Sequence, residues 1–327
     1  MNDRAVSVLE HYELEVIRTQ KGRNAILFET SQGWMILKEY RGPQERLEML
    51  NRLLTAIKES GFTGAEQLVA NKEGTFLCKD QDRTGYIVKT WPGGRECSLL
   101  DGQECRDAVQ VMARLHHAMC HPGLAQESGQ KRIDLAEELE KRNRELKHVR
   151  RFLREKGQKS CFERYLLQNY DFFLEEALAV TEQVKAYGDF MGTMDAVTRG
   201  CFCHGDFSHH NLLGHNGFSV INFEKYAIDS QMRDLYLFLR KLLEKSGWSV
   251  QTAKRLLEVY DREKKMTAQD TLQLYYRFAY PEKFWKIVNF YFNNGKAWIP
   301  SRNMEKLETL IAQNAAKKAF LDQTFSL

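Results

Sequence analysis

The chain has 327 residues, 43% of them hydrophobic and 28% charged, with a formal net charge of +4. That balance belongs to a soluble globular protein with room for one large domain or two packed lobes, and a surplus so small does not imply nucleic acid. Met1 to Glu10 carries charges and no apolar core, unlike a signal peptide, and no run approaches the ~20 apolar residues of a membrane span. The seven cysteines, odd in number and irregular in spacing, exclude a disulfide scaffold and suit a reducing, intracellular setting.

Residues 11–40 alternate in a strand-like way, with Tyr12, Leu14 and Val16 on one face. Turns at Lys21-Gly22-Arg23 and Ser31-Gln32-Gly33 separate a second strand, Ala25 to Phe28, and a third, Trp34 to Lys38. Pro43 suits a first helical turn, Leu47, Leu50, Leu54 and Ile57 recur at helical spacing, and Gly61 ends that helix. Short strands follow around 67–70, 75–78 and 86–89. Trp91-Pro92-Gly93-Gly94 then breaks the pattern as a connector. Residues 1–91 therefore read as a small antiparallel α+β lobe.

Residues 92–327 are mostly helical. Helices are predicted near 103–119, 131–156 and 162–195. In the second of these, Glu137, Glu138 and Glu140 each precede a basic residue by four, which supports an exposed helix at ~0.2–0.5 kcal/mol per pair. Its basic half, 141–156, reads as a solvated face, with docking of an acidic partner as the alternative. Cys201-Phe202-Cys203 reads as one strand, since a pair two apart without a second Cys/His pair does not make a zinc site. A hairpin turned by Asn216-Gly217 joins 211–213 to 218–223. Helices are predicted again over 231–245, 250–262, 268–278, 281–292 and 302–320. The aromatic crowd from Tyr275 to Phe292 reads mainly as core, with a few rings available to line an acceptor pocket.

The segment His204-Gly205-Asp206-Phe207-Ser208-His209-His210-Asn211 carries the most chemical information. An Asp and an Asn five apart, in a loop before an apolar strand, suit phosphoryl transfer. Asp206 would accept the proton of an attacking hydroxyl, and Asn211 would hold a metal ion on nucleotide phosphates. His209 and His210 shape that loop, and His116 and His117 hold it by hydrogen bonding. The next strand should carry an Asp for magnesium, but the residue is Asn222. A neutral amide brings no charge to a hard cation that favours carboxylates. Glu224, of the same strand parity, is a candidate to supply one. Lys38, ending an apolar strand, is the candidate nucleotide-binding cation, with Glu45, or else Glu48, as its acidic partner. The turn at Thr19 to Asn24 has a single glycine and makes a poor phosphate cradle.

On Lys38, Leu115-His116, His204-Gly205-Asp206 with Asn211, Asn222-Phe223-Glu224 and Asp234-Leu235, the chain resembles the aminoglycoside phosphotransferase and choline kinase superfamily. Within it, Gly61-Phe62, Trp91-Pro92-Gly93-Gly94-Arg95-Glu96-Cys97, the run Asp234 to Lys241 and the run Phe292 to Ile299 resemble the CotS-type bacterial spore coat proteins. The resemblance implies an α+β, two-lobed protein-kinase-like fold: a small antiparallel-sheet N-lobe (1–91) and a larger helical C-lobe (92–327). It implies a protein made in the mother-cell cytoplasm and assembled into the spore coat, with other coat proteins as partners. No nucleic acid or membrane partner is expected. The departures at Asn222, the glycine loop and the helix Glu lead us to expect weak or absent phosphotransfer and weak or absent ATP and magnesium binding. The alternative is an active ATP-dependent kinase that phosphorylates a hydroxyl on a small-molecule acceptor, with Asp206 as base.

Overall fold

A computed structural model describes residues 3–22, 25–188, 200–214, 217–293 and 300–325. The chain forms two compact units, residues 1–130 with 199–227 and residues 131–198 with 228–327. In the first unit, β1 (Val16–Gly22), β2 (Ala25–Thr30), β3 (Gly33–Glu39), β4 (Leu68–Val69), β5 (Cys78–Lys79) and β6 (Gly85–Thr90) build one sheet. Its order is β1-β2-β3-β6-β4, with β5 also on β6, and the pairings are antiparallel.

The register between β3 and β6 decides what each face carries. Leu37 pairs with Val88, Lys38 with Ile87 and Ile36 with Lys89. Because side chains alternate across a pleated sheet, Met35, Leu37, Tyr86 and Val88 share one face and Lys38 and Lys89 the other. The apolar face forms a core cluster with Ala5, Val8, Leu9 and Tyr12. Those four belong to or follow a 3-10 helix, Asp3–His11, where the sequence reading had only a charged leader. Their spacing by three and four is helical. The first strand begins at Val16 rather than near residue 11, and Tyr12 is 3% exposed beneath the sheet.

Helix α1 (Gln44–Glu59) buries Leu47, Leu50, Leu53, Leu54 and Ile57, and Pro43 stands at its N-cap. Gly61, at φ +90°, lets the chain leave the helix. The following segment runs beside residue 220: Val220 N donates to Gly64 O (2.7 Å) and Glu66 N to Val220 O (3.1 Å). This pairing brings Glu66 to the level of Asn222. Helix α2 (Gly102–Ala118) starts at Asp101, whose carboxylate accepts from Gln103 N and Glu104 N, a cap typically contributing ~1 kcal/mol. A short helix, α3 (Pro122–Glu127), was not anticipated. After β7 (Arg95–Glu96) and β8 (Phe202–Cys203), the predicted hairpin forms as β9 (Leu212–Gly214) and β10 (Phe218–Val220). Leu212 pairs with Val220 and Gly214 with Phe218; Asn216 of its expected turn lies outside the described residues. Strand β7 pairs antiparallel with β9.

The second unit is helical: α4 (Leu135–Glu155), α5 (Cys161–Ala186), α6 (Met232–Lys245), α7 (Val250–Glu263), α8 (Ala268–Ala279), α9 (Glu282–Asn293) and α10 (Pro300–Thr324). On α4, the Glu138–Arg142 pair forms at 2.7 Å and Glu140–Arg144 at 3.8 Å. The other face of α4 buries Leu139, Leu146 and Leu153. A capping box of Ser160 and Glu163 opens α5. The remainder of that predicted helix, 189–195, lies outside the described residues. Phe278, Tyr280 and Phe284 are core, while Phe290 is exposed. Tyr236, Trp248, Phe278 and Tyr280 help to line a cavity of about 370 Å³. Among the described residues no helix is long and apolar enough to cross a membrane.

Candidate functional site

All the residues of the candidate site lie in the first unit. The loop after β8 begins at His204, which is fully buried. His204 Nδ1 accepts from Asp206 N at 3.2 Å, which leaves Nε2 to donate to Ile221 O at 3.0 Å. The imidazole thus ties the loop to the strand that leads into Asn222. Gly205 sits at φ +79°, and a Cβ there would lie 2.1 Å from Lys225 O. Only glycine fits that turn. The Asp206 carboxylate, 42% exposed, pairs with Lys225 Nζ at 2.9 Å. His210 Nδ1 lies 2.5 Å from Glu96 Oε2, joining the far end of the loop to β7.

Asn211 and Asn222 meet directly. Asn211 Nδ2 donates to Asp206 O (2.8 Å), and Asn222 Nδ2 donates to Asn211 Oδ1 (2.8 Å). Asn222 Oδ1 accepts from Lys38 Nζ (2.8 Å) and Lys89 Nζ (3.2 Å). Donors and acceptors alternate along this chain, so the orientation of both amides is determined. Asn222 is left-handed, at φ 68° and ψ 54°, and precedes the 3-10 helix Phe223–Lys225. Asn is among the few non-glycine residues that enter this region readily.

Two lysines and two glutamates complete the site. Lys89 and Glu66 are each almost wholly buried. Lys89 Nζ lies 3.0 and 2.9 Å from the two Glu66 carboxylate oxygens and 2.6 Å from Glu224 Oε1. Lys38 Nζ reaches the same Glu224 oxygen at 3.3 Å. Glu66 Oε1 also accepts from Phe223 N at 3.0 Å, which anchors the residue after Asn222. Burial pushes the Glu224 carboxyl up, but Lys89 and Lys38 outweigh it and hold the group down at about 2. Burial works against the Lys89 charge, and the Glu66 and Glu224 carboxylates overcome it, so its pKa is raised.

The structure therefore brings together Lys38, Asn211, Asn222 and Glu224, with Asp206 joined through its backbone carbonyl. It does not bring Glu45 into the group. Glu45 and Glu48 are exposed on the outer side of α1, and Glu48 accepts from Gln44. The ion pair of Lys38 is with Glu224 instead. The α1 residue that turns inward is Arg46, which donates to Glu224 O and Tyr226 O and stacks 4.4 Å from the Tyr226 ring centre. The sequence reading missed Glu66 and Lys89. Lys89 was detectable, because it ends an apolar strand as Lys38 does. Glu66 has no such signal, since its position follows only from the pairing with Val220.

Whether these donors fit a magnesium ion can be judged from their bonds. The Asn211 oxygen needed for a metal accepts from the Asn222 amide, the Glu66 carboxylate faces the Lys89 ammonium, and Oε1 of Glu224 faces both lysines. The set does not fit the ion. Among the described residues no group of three or more His, Cys, Asp and Glu side chains is placed to hold a metal.

A family model described as "Spore coat putative kinase YutH" matches residues 6–324. No curated protein matches the chain. Among solved structures, an aminoglycoside phosphotransferase from Alicyclobacillus acidocaldarius superposes with a TM-score of 0.82 at 19% identity, over 98% of this chain and 94% of that one. A spectinomycin phosphotransferase in complex with ADP and spectinomycin gives 0.65 at 13%, covering 98% and 96%. A microcompartment-associated aminopropanol kinase gives 0.64 at 14%, covering 98% of each. At such identities the likeness shows the fold: an antiparallel-sheet N-terminal lobe and a helical C-lobe of the kinase-like kind.

Proposed function

Since this chain belongs to the spore coat kinase family, we propose that it is a kinase-like component of the spore coat whose phosphotransfer is weak or absent. The observation that carries this reading is the 2.8 Å hydrogen bond from Asn222 Nδ2 to Asn211 Oδ1. An Asp at 222 has no N–H to give, and both residues would then offer oxygens to a metal. With Asn, the would-be ligands satisfy one another. ATP and magnesium bind weakly or not at all on this reading. The protein is made in the mother-cell cytoplasm and acts in the coat through other coat proteins. The test is single-turnover and steady-state transfer from labelled ATP to a panel of hydroxylated metabolites, with wild type beside Asp206→Asn. We expect no Asp206-dependent product. Turnover in the ordinary kinase range of ~1–100 s⁻¹, lost in Asp206→Asn, would refute the reading.

One observation favours the alternative, an active small-molecule kinase. Asp206 keeps the fixed loop, the half-exposed carboxylate and the loop glycine that a base needs. On that reading Lys225 would have to release the carboxylate as an acceptor hydroxyl arrives. The same assay separates the two.

A further inference from the structure

The arrangement around Lys89 resembles the surroundings of a bound cation more than those of a surface ammonium. Its three N–H donors meet three partners: Glu66 at 2.9 to 3.0 Å, Asn222 Oδ1 at 3.2 Å and Glu224 Oε1 at 2.6 Å. Those partners come from two separate stretches of chain, Glu66 from one and Asn222 and Glu224 from the other, and converge on one point. Carboxylate and amide oxygens converging in this way are the donor set of a hard divalent ion. The ammonium is supplied by β6, whose register places Lys89 diagonally beside Lys38 on the same sheet face.

We propose that Lys89 is a resident cation, a side-chain ammonium held where Glu66, Asn222 and Glu224 would otherwise hold a divalent metal, so that this site is metal-independent by construction. This deepens the reading of a kinase-like site with impaired metal chemistry, and rests on it for the identity of the site. It adds a second cause to Asn222. Two ammonium groups balance two carboxylates there. A divalent ion would have to share Glu66 and Glu224 with Lys89 at close range, against like-charge repulsion that buried surroundings screen poorly. Changing Asn222 alone to Asp therefore does not restore a metal site.

The experiment uses the full-length chain and Mn²⁺ alone, with uptake read from loss of the free hexaaqua EPR signal. Wild type, Asn222→Asp and Lys89→Arg should leave that signal unchanged. Lys89→Met should take up one Mn²⁺ per chain, and Asn222→Asp/Lys89→Met should do so more tightly still. The gain over wild type should be at least about 100-fold, the scale of removing one close unit charge. Uptake by wild type or Lys89→Arg with the affinity of the double variant overturns the proposal. So does a folded double variant, checked by circular dichroism, that takes up none. If the Met variants fail to fold, the wild-type and Lys89→Arg titrations still decide, since uptake by either refutes a resident ammonium and no uptake by both supports it. The two readings also fail separately. Asp206-dependent transfer from ATP in excess chelator would refute the weak-kinase reading and leave this one standing. Mn²⁺ uptake by wild type without turnover would do the reverse.

Discussion

Glu66→Gln tests the residue that holds the site together from below. Glu66 is 2% exposed and Lys89 1% exposed, and they lie 2.9 Å apart. Gln keeps the size and one oxygen for Phe223 N, but it removes the charge and turns an amide N–H₂ toward a buried ammonium. Removing one partner of a buried ion pair costs about 3–5 kcal/mol, because the other charge stays buried. Glu224 still reaches Lys89 at 2.6 Å, so the lower end applies, about 3 kcal/mol. In a unit of this size each kcal/mol moves Tm by ~2–4 °C, which gives a fall of ~6–12 °C. Calorimetry and denaturant melts at pH 7 should show it, with the exposed Glu45→Gln unchanged within ~0.5 kcal/mol. Glu66→Leu/Lys89→Met should lose less than the sum of its singles, since an apolar pair can replace a buried ionic one. A Glu66→Gln melt within ~2 °C of wild type, below the ~6 °C floor just derived, would refute the reasoning.

Glu224 is held at about 2 against an ordinary carboxyl value of 4.5. A depressed acid contributes stability above its unfolded value and loses it as pH falls from there to its folded value. The contribution, at most about 3 kcal/mol, should drain away between those two pH values in denaturant melts. Glu224→Gln should remove part of that acid slope, and an unchanged slope would count against the assignment. In the second unit Lys317 is buried, donates to Ala279 O at 3.2 Å, and burial pushes its pKa down to about 8. Its folded state gives up the proton more easily, so stability should rise from pH 8 toward the ordinary lysine value of 10.5. Lys317→Met should stabilise the protein by ~1–3 kcal/mol at pH 7, and a lower Tm would contradict this. Gly205→Ala, with its Cβ 2.1 Å from Lys225 O, should cost about 2 kcal/mol or more, and an unchanged melt would mean that the loop is not as tight as described.

Much of the fold and part of the site were legible in the sequence, for different physical reasons. Periodicity gave the sheet of residues 16–39, the helix carrying Leu47 to Ile57 and the helices after 231, because those elements bury one face and must repeat to do so. The loop spacing gave Asp206, Asn211 and Asn222, because the chemistry sets their distance along the chain. The first strand was placed too early because the alternation of Tyr12, Leu14 and Val16 imitates one, and the 3-10 helix Asp3–His11 was lost because charged residues break up its short apolar spacing. The partner of Lys38 was sought on α1 at Glu45, where helix geometry alone leaves several faces open. The structure supplies it from Glu224, 186 residues away. Glu66 was invisible because its place depends on a backbone pairing with Val220.

Asn222 and Lys89 are best understood together by counting charge. Backbone strain does not choose between Asn and Asp at 222, since both enter the left-handed region that φ 68° requires. The choice is electrostatic. With Asn, the buried ammonium of Lys89 and the partly exposed one of Lys38 face the carboxylates of Glu66 and Glu224 and the cluster is neutral. An Asp would leave one uncompensated negative charge in a site where Glu66 and Lys89 have no water to turn to, and uncompensated buried charge is what proteins avoid most strongly. A metal-using site resolves that excess with the ion itself, and this one resolves it with Lys89. Lysine at 89 and amide at 222 are thus two halves of one solution. Restoring Asp at 222 while Lys89 stays should create a strained acid rather than a kinase, whereas removing the Lys89 ammonium should open the site to a metal, most tightly when Asp stands at 222 as well.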